Sequence, residues 1–263
     1  MARSALLNIM VQAATKAGRS LTRDFGEVEN LQVSVKGPGD FVSAADKKAE
    51  EIIYESLIRS RPDWGFLMEE SGEVKGTDPL HRWIVDPLDG TTNFLHSLPI
   101  FAVSIGLERE GRLVAGVIYN PITEELFTAE KGNGAFMNDR RMRVAARRKL
   151  SEAALCTAIP HIGTEQLGRY LEEARAASAQ AAAVRGLGSA SLSLAWVAAG
   201  RLDGYWEHRL KPWDMAAGIV LVREAGGFLS DISGGERMMQ SGGIIAGNEI
   251  MRDAIRKTII ERG

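Results

Sequence analysis

The run Trp83-Ile84-Val85-Asp86-Pro87-Leu88-Asp89-Gly90-Thr91-Thr92-Asn93-Phe94 joins a buried-strand pattern to a sharp acidic turn. Pro87 fixes one backbone angle and removes a donor, and Gly90 permits a tight turn. Asp86 and Asp89, three residues apart, are thereby held rigidly at a strand end. Thr91 and Thr92 follow where a helix or turn begins, with free N–H groups and hydroxyls able to receive an anion. Carboxylates beside an anion cradle make physical sense when cations sit between them, and hard carboxylate oxygens favour magnesium or calcium. The plainer alternative is an Asp-Pro turn followed by a threonine helix cap.

Two further acidic points lie far from this run in the chain. Glu69-Glu70 closes a short strand over 65–68, so one carboxylate can converge with Asp86 while the other faces away. The alternative for the pair is a solvated sheet edge. Asp214, after Trp213, precedes an apolar helix over 214–225, where an aspartate is ordinarily an N-cap. If Glu69, Asp86, Asp89 and Asp214 meet, the site carries about four negative charges before a phosphate adds about two more. Two or more divalent cations would have to balance that cluster, an arrangement that clamps both oxygens of a phosphoryl transfer.

Outward from these points the chain alternates strands and helices. Leu6, Met10, Ala13, Ala14, Ala17 and Leu21 recur at helical spacing, ending near Gly26. A turn-rich stretch, Lys36-Gly37-Pro38-Gly39-Asp40, precedes Ser43 to Asp46, whose spacing resembles a capping box with Asp in place of Glu. The helix that follows packs on Ala45, Ala49, Ile52, Ile53, Ser56 and Leu57. A loop with Gly72, Gly76 and Pro79 follows the acidic pair. Strands over 100–108, 113–119 and 125–130, separated by turn signals, suggest an antiparallel meander. The second half reads as a strand over 153–159, an alanine-rich helix over 165–183, a helix over 189–199 and a strand over 202–207. After the 214–225 helix come a strand over 243–246 and a helix over 249–260. This pattern predicts α/β layering, with residues 1–145 forming an α+β half built on an antiparallel sheet and 146–263 a smaller α/β half, both within one unit.

Composition narrows the function classes. A net charge of -2 gives no general attraction to nucleic acid or anionic lipid, so phosphate chemistry must be local. The basic run Arg140-Arg141-Met142-Arg143 with Arg147, Arg148 and Lys149 reads as a solvated surface, or else as a patch for nucleic acid or a protein partner. Cys156 is the single cysteine, which excludes an intrachain disulfide or a multi-cysteine zinc site and suits a reducing compartment. No run of 18 apolar residues and no signal-peptide core is present, so a cytoplasmic protein without membrane association is expected. His81, His96, His161 and His208 show no metal-ligand spacing.

The segments Trp83 to Phe94 and Trp213 to Gly227, with Glu69-Glu70-Ser71 before them, resemble the signature motifs of the inositol monophosphatase family in order and spacing. The resemblance runs over nearly the whole chain and implies the layered αβαβα sandwich of that family. It implies two or three magnesium ions: Glu69, Asp86 and the Leu88 carbonyl at a first, Asp86, Asp89 and Asp214 at a second, and Glu69 through water at a third. Thr91, paired with Asp46, would polarise the attacking water, and the backbone of Gly90, Thr91 and Thr92 would hold the phosphate. Gly188, Ser189, Ala190 and Glu207, with Arg185 close by, would approach the hydroxyls of a phosphorylated polyol.

By the same resemblance the reaction is hydrolysis of a small phosphomonoester such as inositol 1-phosphate, by direct attack of activated water, in a homodimer. No activated Cys or Ser nucleophile is evident in the motifs, which agrees with direct attack. Other sugar phosphates and histidinol phosphate are substrates within the same fold family. Some bacterial relatives instead associate with the transcription and ribosomal-RNA machinery. Animal relatives carry His-Cys before the Trp-Asp pair, where this chain has Lys211-Pro212; the difference bears on the leaving-group side of the pocket.

Overall fold

The computed structural model of the chain describes residues 3–25, 27, 33–37, 40–158 and 167–260. Its first half contains α1 (Ala5–Phe25), β1 (Val33–Gly37), β2 (Asp40–Ser43), α2 (Ala44–Ser60), β3 (Trp64–Met68), β4 (Gly72–Val74), β5 (Asp78–Asp89) and α3 (Thr91–Leu95). These are followed by β6 (Ala102–Arg109), β7 (Arg112–Asn120), β8 (Glu125–Glu130), β9 (Gly134–Met137) and β10 (Arg140–Arg141). The second half contains β11 (Ala154–Thr157), α4 (Leu167–Ser178), β12 (Ala183–Arg185), α5 (Ala190–Ala198), β13 (Gly204–Glu207) and α6 (Pro212–Glu224). It ends with β14 (Phe228–Ser230), α7 (Met238–Ser241), β15 (Ile244–Gly247) and α8 (Glu249–Ile260).

Five layers result. α1 and α2 cover one face of an eight-stranded sheet of order β10-β9-β8-β7-β6-β5-β3-β4. Their shared core joins Met10, Ala13, Ala17, Ala49 and Ile53 to Trp83, Val85 and Val103 of the sheet. α5 and α6 lie on the opposite face, sandwiched by a five-stranded sheet of order β12-β11-β13-β15-β14. α4 and α8 close the outside of that second sheet, packing around Trp206, Met251 and Ile255. The middle layer explains an otherwise odd sequence feature: α6 is apolar all round, and every residue from 215 to 222 is buried. A helix with no polar face has to be covered on all sides.

Close approach of α6 to the large sheet depends on two glycines. A Cβ on Gly116 would lie 2.5 Å from the Ala217 carbonyl oxygen, and one on Gly106 would lie 2.8 Å from the Ala216 Cβ. Because the nearest atom at Gly116 is backbone, relief requires the helix to move. Gly116→Ala is expected to destabilise the fold by about 2 kcal/mol, read from the midpoint of urea unfolding. A midpoint equal to the parent's would mean that this contact is not tight.

Several sequence expectations are corrected. The large sheet is not wholly antiparallel, since β3 and β5 pair in parallel. β4 occupies one side of β3 as a hairpin partner, so the chain crosses to the other side and re-enters in the same direction. The expected loop around Gly72 and Pro79 therefore contains β4 and the start of β5. The helix expected over 165–183 stops at Ser178, and Ala183 instead begins β12, paired in parallel with β11. Alanine's helix preference is overridden there by an unfilled sheet edge. Leu7 takes the buried position expected of Leu6, which is partly buried. The α2 face is more polar than expected: Asp46 and Glu50 are buried alongside Ala45, Ala49, Ile53 and Leu57. The expected features at Gly26, Pro38-Gly39, Ile159, Glu165 and His161 lie outside the described residues. Among the described residues no helix is long and apolar enough to cross a membrane.

Candidate active site

The end of β5 begins the site. Asp86 faces Ser104 across the β5–β6 ladder, and the register then shifts before Asp89 pairs with Ala102. Pro87 and Leu88 occupy this irregularity, and the Leu88 N–H donates to Asp86 Oδ1 at 3.0 Å. Gly90 then turns the chain with φ of 100°, where a Cβ would lie 2.9 Å from the Ile100 carbonyl oxygen. Only a residue without a side chain fits both the left-handed backbone and the crowding. α3 starts directly after it, and the first N–H groups of a helix have no intrahelical acceptor.

α2 supplies a partner from across the layer. Ser43 and Asp46 form the expected capping box, with Asp46 at the third helical position and Oδ2 accepting from the Ser43 N–H at 2.8 Å. The other oxygen of Asp46 lies 3.0 Å from Thr91 Oγ1, which is also 3.1 Å from the Leu88 carbonyl oxygen. The single Thr91 hydroxyl hydrogen thus chooses between two acceptors. Burial raises the Asp46 pKa, an effect opposed by the bonds from Ser43 and Thr91.

α5 and α6 bring the distant residues in. Asp89 receives the hydroxyls of Ser189, at 2.6 Å, and Ser191, together with the Ser191 N–H at 2.7 Å and the Ala190 N–H at 3.3 Å. Its carboxylate therefore sits on the first turn of α5, where the helix favours negative charge. Asn93 ties the preceding turn to the same place, its Nδ2 donating to the carbonyls of Ile100 at 2.7 Å and Leu187 at 2.8 Å. On α6, Asp214 is not the N-cap expected from its position in the sequence. The helix begins at Pro212, and Asp214, at its third position, accepts the Lys211 N–H at 2.6 Å. Ser104, opposite Asp86, reaches the Trp213 carbonyl at 3.4 Å and links the sheet to this helix start.

Electrostatics shows how far the acidic residues converge. Desolvation raises the Asp86 pKa well above the carboxylate range, reinforced by the charges of Glu69, Asp89 and Asp214. Asp214 is raised in the same way, by desolvation and then by Asp89, with Glu69 and Glu207 adding to it. Asp89 is raised by burial, although its four donors oppose the shift. Glu207 is pushed up to about 7 by burial, against the bond that it accepts from the Tyr205 hydroxyl. The Lys211 N–H opposes the rise at Asp214, but no lysine or arginine side-chain charge is among the main influences on Asp86 or Asp214.

Five carboxylates thus influence one another, and Asp86, Asp89, Asp214 and Glu207 are each also held by a local donor. Among the described residues no three His, Cys, Asp or Glu side chains are drawn into a ready coordination sphere. The donor set nonetheless suits a hard divalent cation: oxygen ligands only, buried, mutually repelling and without a cationic side chain to balance them. Arg185 stands apart, exposed on the edge strand β12 with its guanidinium on the Val184 carbonyl at 3.0 Å. Gly188, with φ of 71°, shapes the turn that leads to Ser189 and Ala190.

Sequence reading missed Ser191, Ser104, Tyr205 and Glu50. Ser191 had a local signal, a second serine in the first turn of a helix. Ser104 and Glu50 had none, because their partners are distant in the chain, whereas Tyr205 stands two residues before Glu207, a spacing that puts both on one face of a strand.

A sequence model of the inositol monophosphatase family matches residues 2–262. The chain is 62% identical to an inositol-1-monophosphatase of Mesorhizobium japonicum over 98% of this chain and 97% of the relative. It is 45% identical to the Nus factor SuhB of Escherichia coli, over 92% and 91% of the two chains. The crystal structure of the extragenic suppressor protein suhB of Bartonella henselae superimposes with a TM-score of 0.96 at 59% identity, covering 97% of this chain and 98% of that one.

Proposed function

Because the chain belongs to the inositol monophosphatase family, a family of metal-dependent phosphoric monoester hydrolases, we propose that it hydrolyses inositol 1-phosphate with magnesium as its metal. The observation that carries the reading is the gathering of carboxylates from β5, the β3 end, β13 and α6 around the buried Asp86, where desolvation and then their neighbouring charges raise Asp86 and Asp214. Glu69, Asp86, the Leu88 carbonyl, Asp89 and Asp214 are the ligands, for two or three ions. Bound magnesium supplies charge neutralisation at the phosphate and lowers the pKa of water.

The remaining steps belong to the chain. Thr91 donates to Asp46 and keeps its oxygen lone pairs free to accept from an attacking water, which aligns that water and draws its proton toward the α2 carboxylate. The N–H groups of Gly90, Thr91 and Thr92 hold the phosphate oxygens at the start of α3. Glu207, tethered by Tyr205, accepts from a polyol hydroxyl, and Gly188, Ser189 and Ala190 form the wall beside it. The exposed Arg185 reaches that wall only by leaving its own strand carbonyl.

Rates on inositol 1-phosphate, fructose 1,6-bisphosphate, histidinol phosphate and a nucleotide bisphosphate, each with magnesium and with chelator, test the assignment. A clear preference for inositol 1-phosphate that chelator abolishes is expected. Equal rates on all four would sink the substrate assignment.

The relatives called Nus factor SuhB favour a second reading, a mainly binding role with the transcription and ribosomal-RNA machinery. The surface for it would be the basic run from Arg140 to Lys149, although Arg147 is paired with Asp203 at 3.2 Å and Lys149 with Glu152 at 3.5 Å. Full function in cells of a protein without turnover would favour this reading.

A further inference from the structure

Two carboxylates one helical turn apart, Asp46 and Glu50, are both buried on the face of α2 that meets the large sheet. Residues at this spacing lie one above the other on a helix. Asp46 reaches Thr91 in the acidic-turn segment. Glu50 reaches the other acidic segment: one of its oxygens accepts the Glu70 N–H at 2.9 Å, and the other accepts the Ser71 hydroxyl at 2.5 Å. Glu50 is 3% exposed, and a carboxylate so placed is tolerated only when it is well bonded.

The segment that it holds carries Glu69. On its other side the Glu69 N–H donates to the Val85 carbonyl at 3.2 Å, immediately before Asp86. Beyond Met68 the chain leaves β3 and turns back into β4, so the β3–β5 ladder itself ends just before the acidic pair. The Glu50 bonds grip the next two residues and set the direction in which Glu69 leaves the strand.

We propose that Glu50 is a positioning residue that aims Glu69 at Asp86, so that α2 organises both acidic segments of the site, one through Asp46 and the other through Glu50. This rests on the reading of Glu69 as a magnesium ligand. Charge-assisted hydrogen bonds to a buried carboxylate are shorter and stronger than neutral ones, which suits this task.

Calorimetric titration of magnesium into the metal-free protein tests it, with a metal-free melting curve for each variant as the check on folding. Glu50→Ala is expected to weaken magnesium binding roughly tenfold, the lower end for partners that orient metal ligands. Glu50→Gln keeps an acceptor for the Glu70 N–H and can donate to Ser71, and is expected to bind within about threefold of the parent. Should the alanine variant not fold, Ser71→Ala, which removes one of the two bonds, is expected to weaken binding roughly threefold. Parental affinity in Glu50→Ala, whatever its melting temperature, overturns the proposal. Equal losses in the alanine and glutamine variants overturn it as well, because charge rather than anchoring would then be the cause. In the absence of a folded alanine variant, unchanged affinity in Ser71→Ala does the same. A parent protein that takes up no magnesium would overturn the metal reading and this proposal with it, whereas parental uptake with unaffected variants overturns only the role of Glu50.

Discussion

Replacing Asp86 by asparagine is expected to lower turnover of inositol 1-phosphate at saturating magnesium by about 10³-fold, and at the same time to make the metal-free protein more stable. The loss follows from the position of Asp86, which is 2% exposed and shared between the proposed metal sites. Removing one preorganised charge from such a centre costs several kcal/mol at the transition state. The gain follows from repulsion. Desolvation, Glu69, Asp89 and Asp214 all disfavour the Asp86 anion, and a neutral amide of the same shape escapes all four. An asparagine oxygen still accepts the Leu88 N–H, so the turn persists. About 1–2 kcal/mol of added stability in chelator is the expected scale. Near-parental turnover would refute the site, and a joint fall in activity and metal-free stability would assign Asp86 to the scaffold.

The second large effect is a reversal of pH dependence by magnesium. Asp46, Asp86, Asp89 and Asp214 have pKa values raised by burial, and Glu207 is raised to about 7. A carboxyl whose pKa is higher folded than unfolded binds more protons in the folded state. Its contribution to stability is complete below the unfolded pKa and disappears as pH rises through the folded value. The groups shifted the other way, Asp78, Asp231 and Glu173, act below about pH 5 and do not oppose this trend. Each extra proton held by the folded state adds about 1.4 kcal/mol per pH unit to the slope.

The metal-free protein is therefore expected to melt roughly 3–8 °C higher at pH 5.5 than at pH 7.5. Magnesium binds the deprotonated carboxylates, so its stabilisation grows over the same interval. With saturating magnesium the difference is expected to vanish or change sign. Calorimetric melting at the two pH values, with and without the ion, measures both. A metal-free melting temperature independent of pH would show that these carboxyls are not desolvated together.

The comparison between chain and fold divides along sequence distance. Periodicity marked α1 and α2, composition marked α6 as an apolar helix, and Pro87 and Gly90 marked a rigid acidic turn, because each of these signals is local and is imposed within a few residues. The capping box at Ser43 was legible for the same reason. Asp214 was legible as an acidic residue at a helix start, although not at its true position within the helix. The parallel pairing of β3 with β5 and the diversion of Ala183 into β12 were not legible, since they depend on which sheet edge is free. Nor were the partners of the carboxylates: nothing near Glu50 in the chain marks it as buried, because Glu70 and Ser71 reach it only when α2 is laid on the sheet with that face inward. Local chemistry thus named the acidic residues and the turn that presents them. Long-range register, with Asp86 opposite Ser104 and Ser104 bonded to Trp213, sets which carboxylates face one another, because their mutual repulsion has no meaning until packing has removed the water between them.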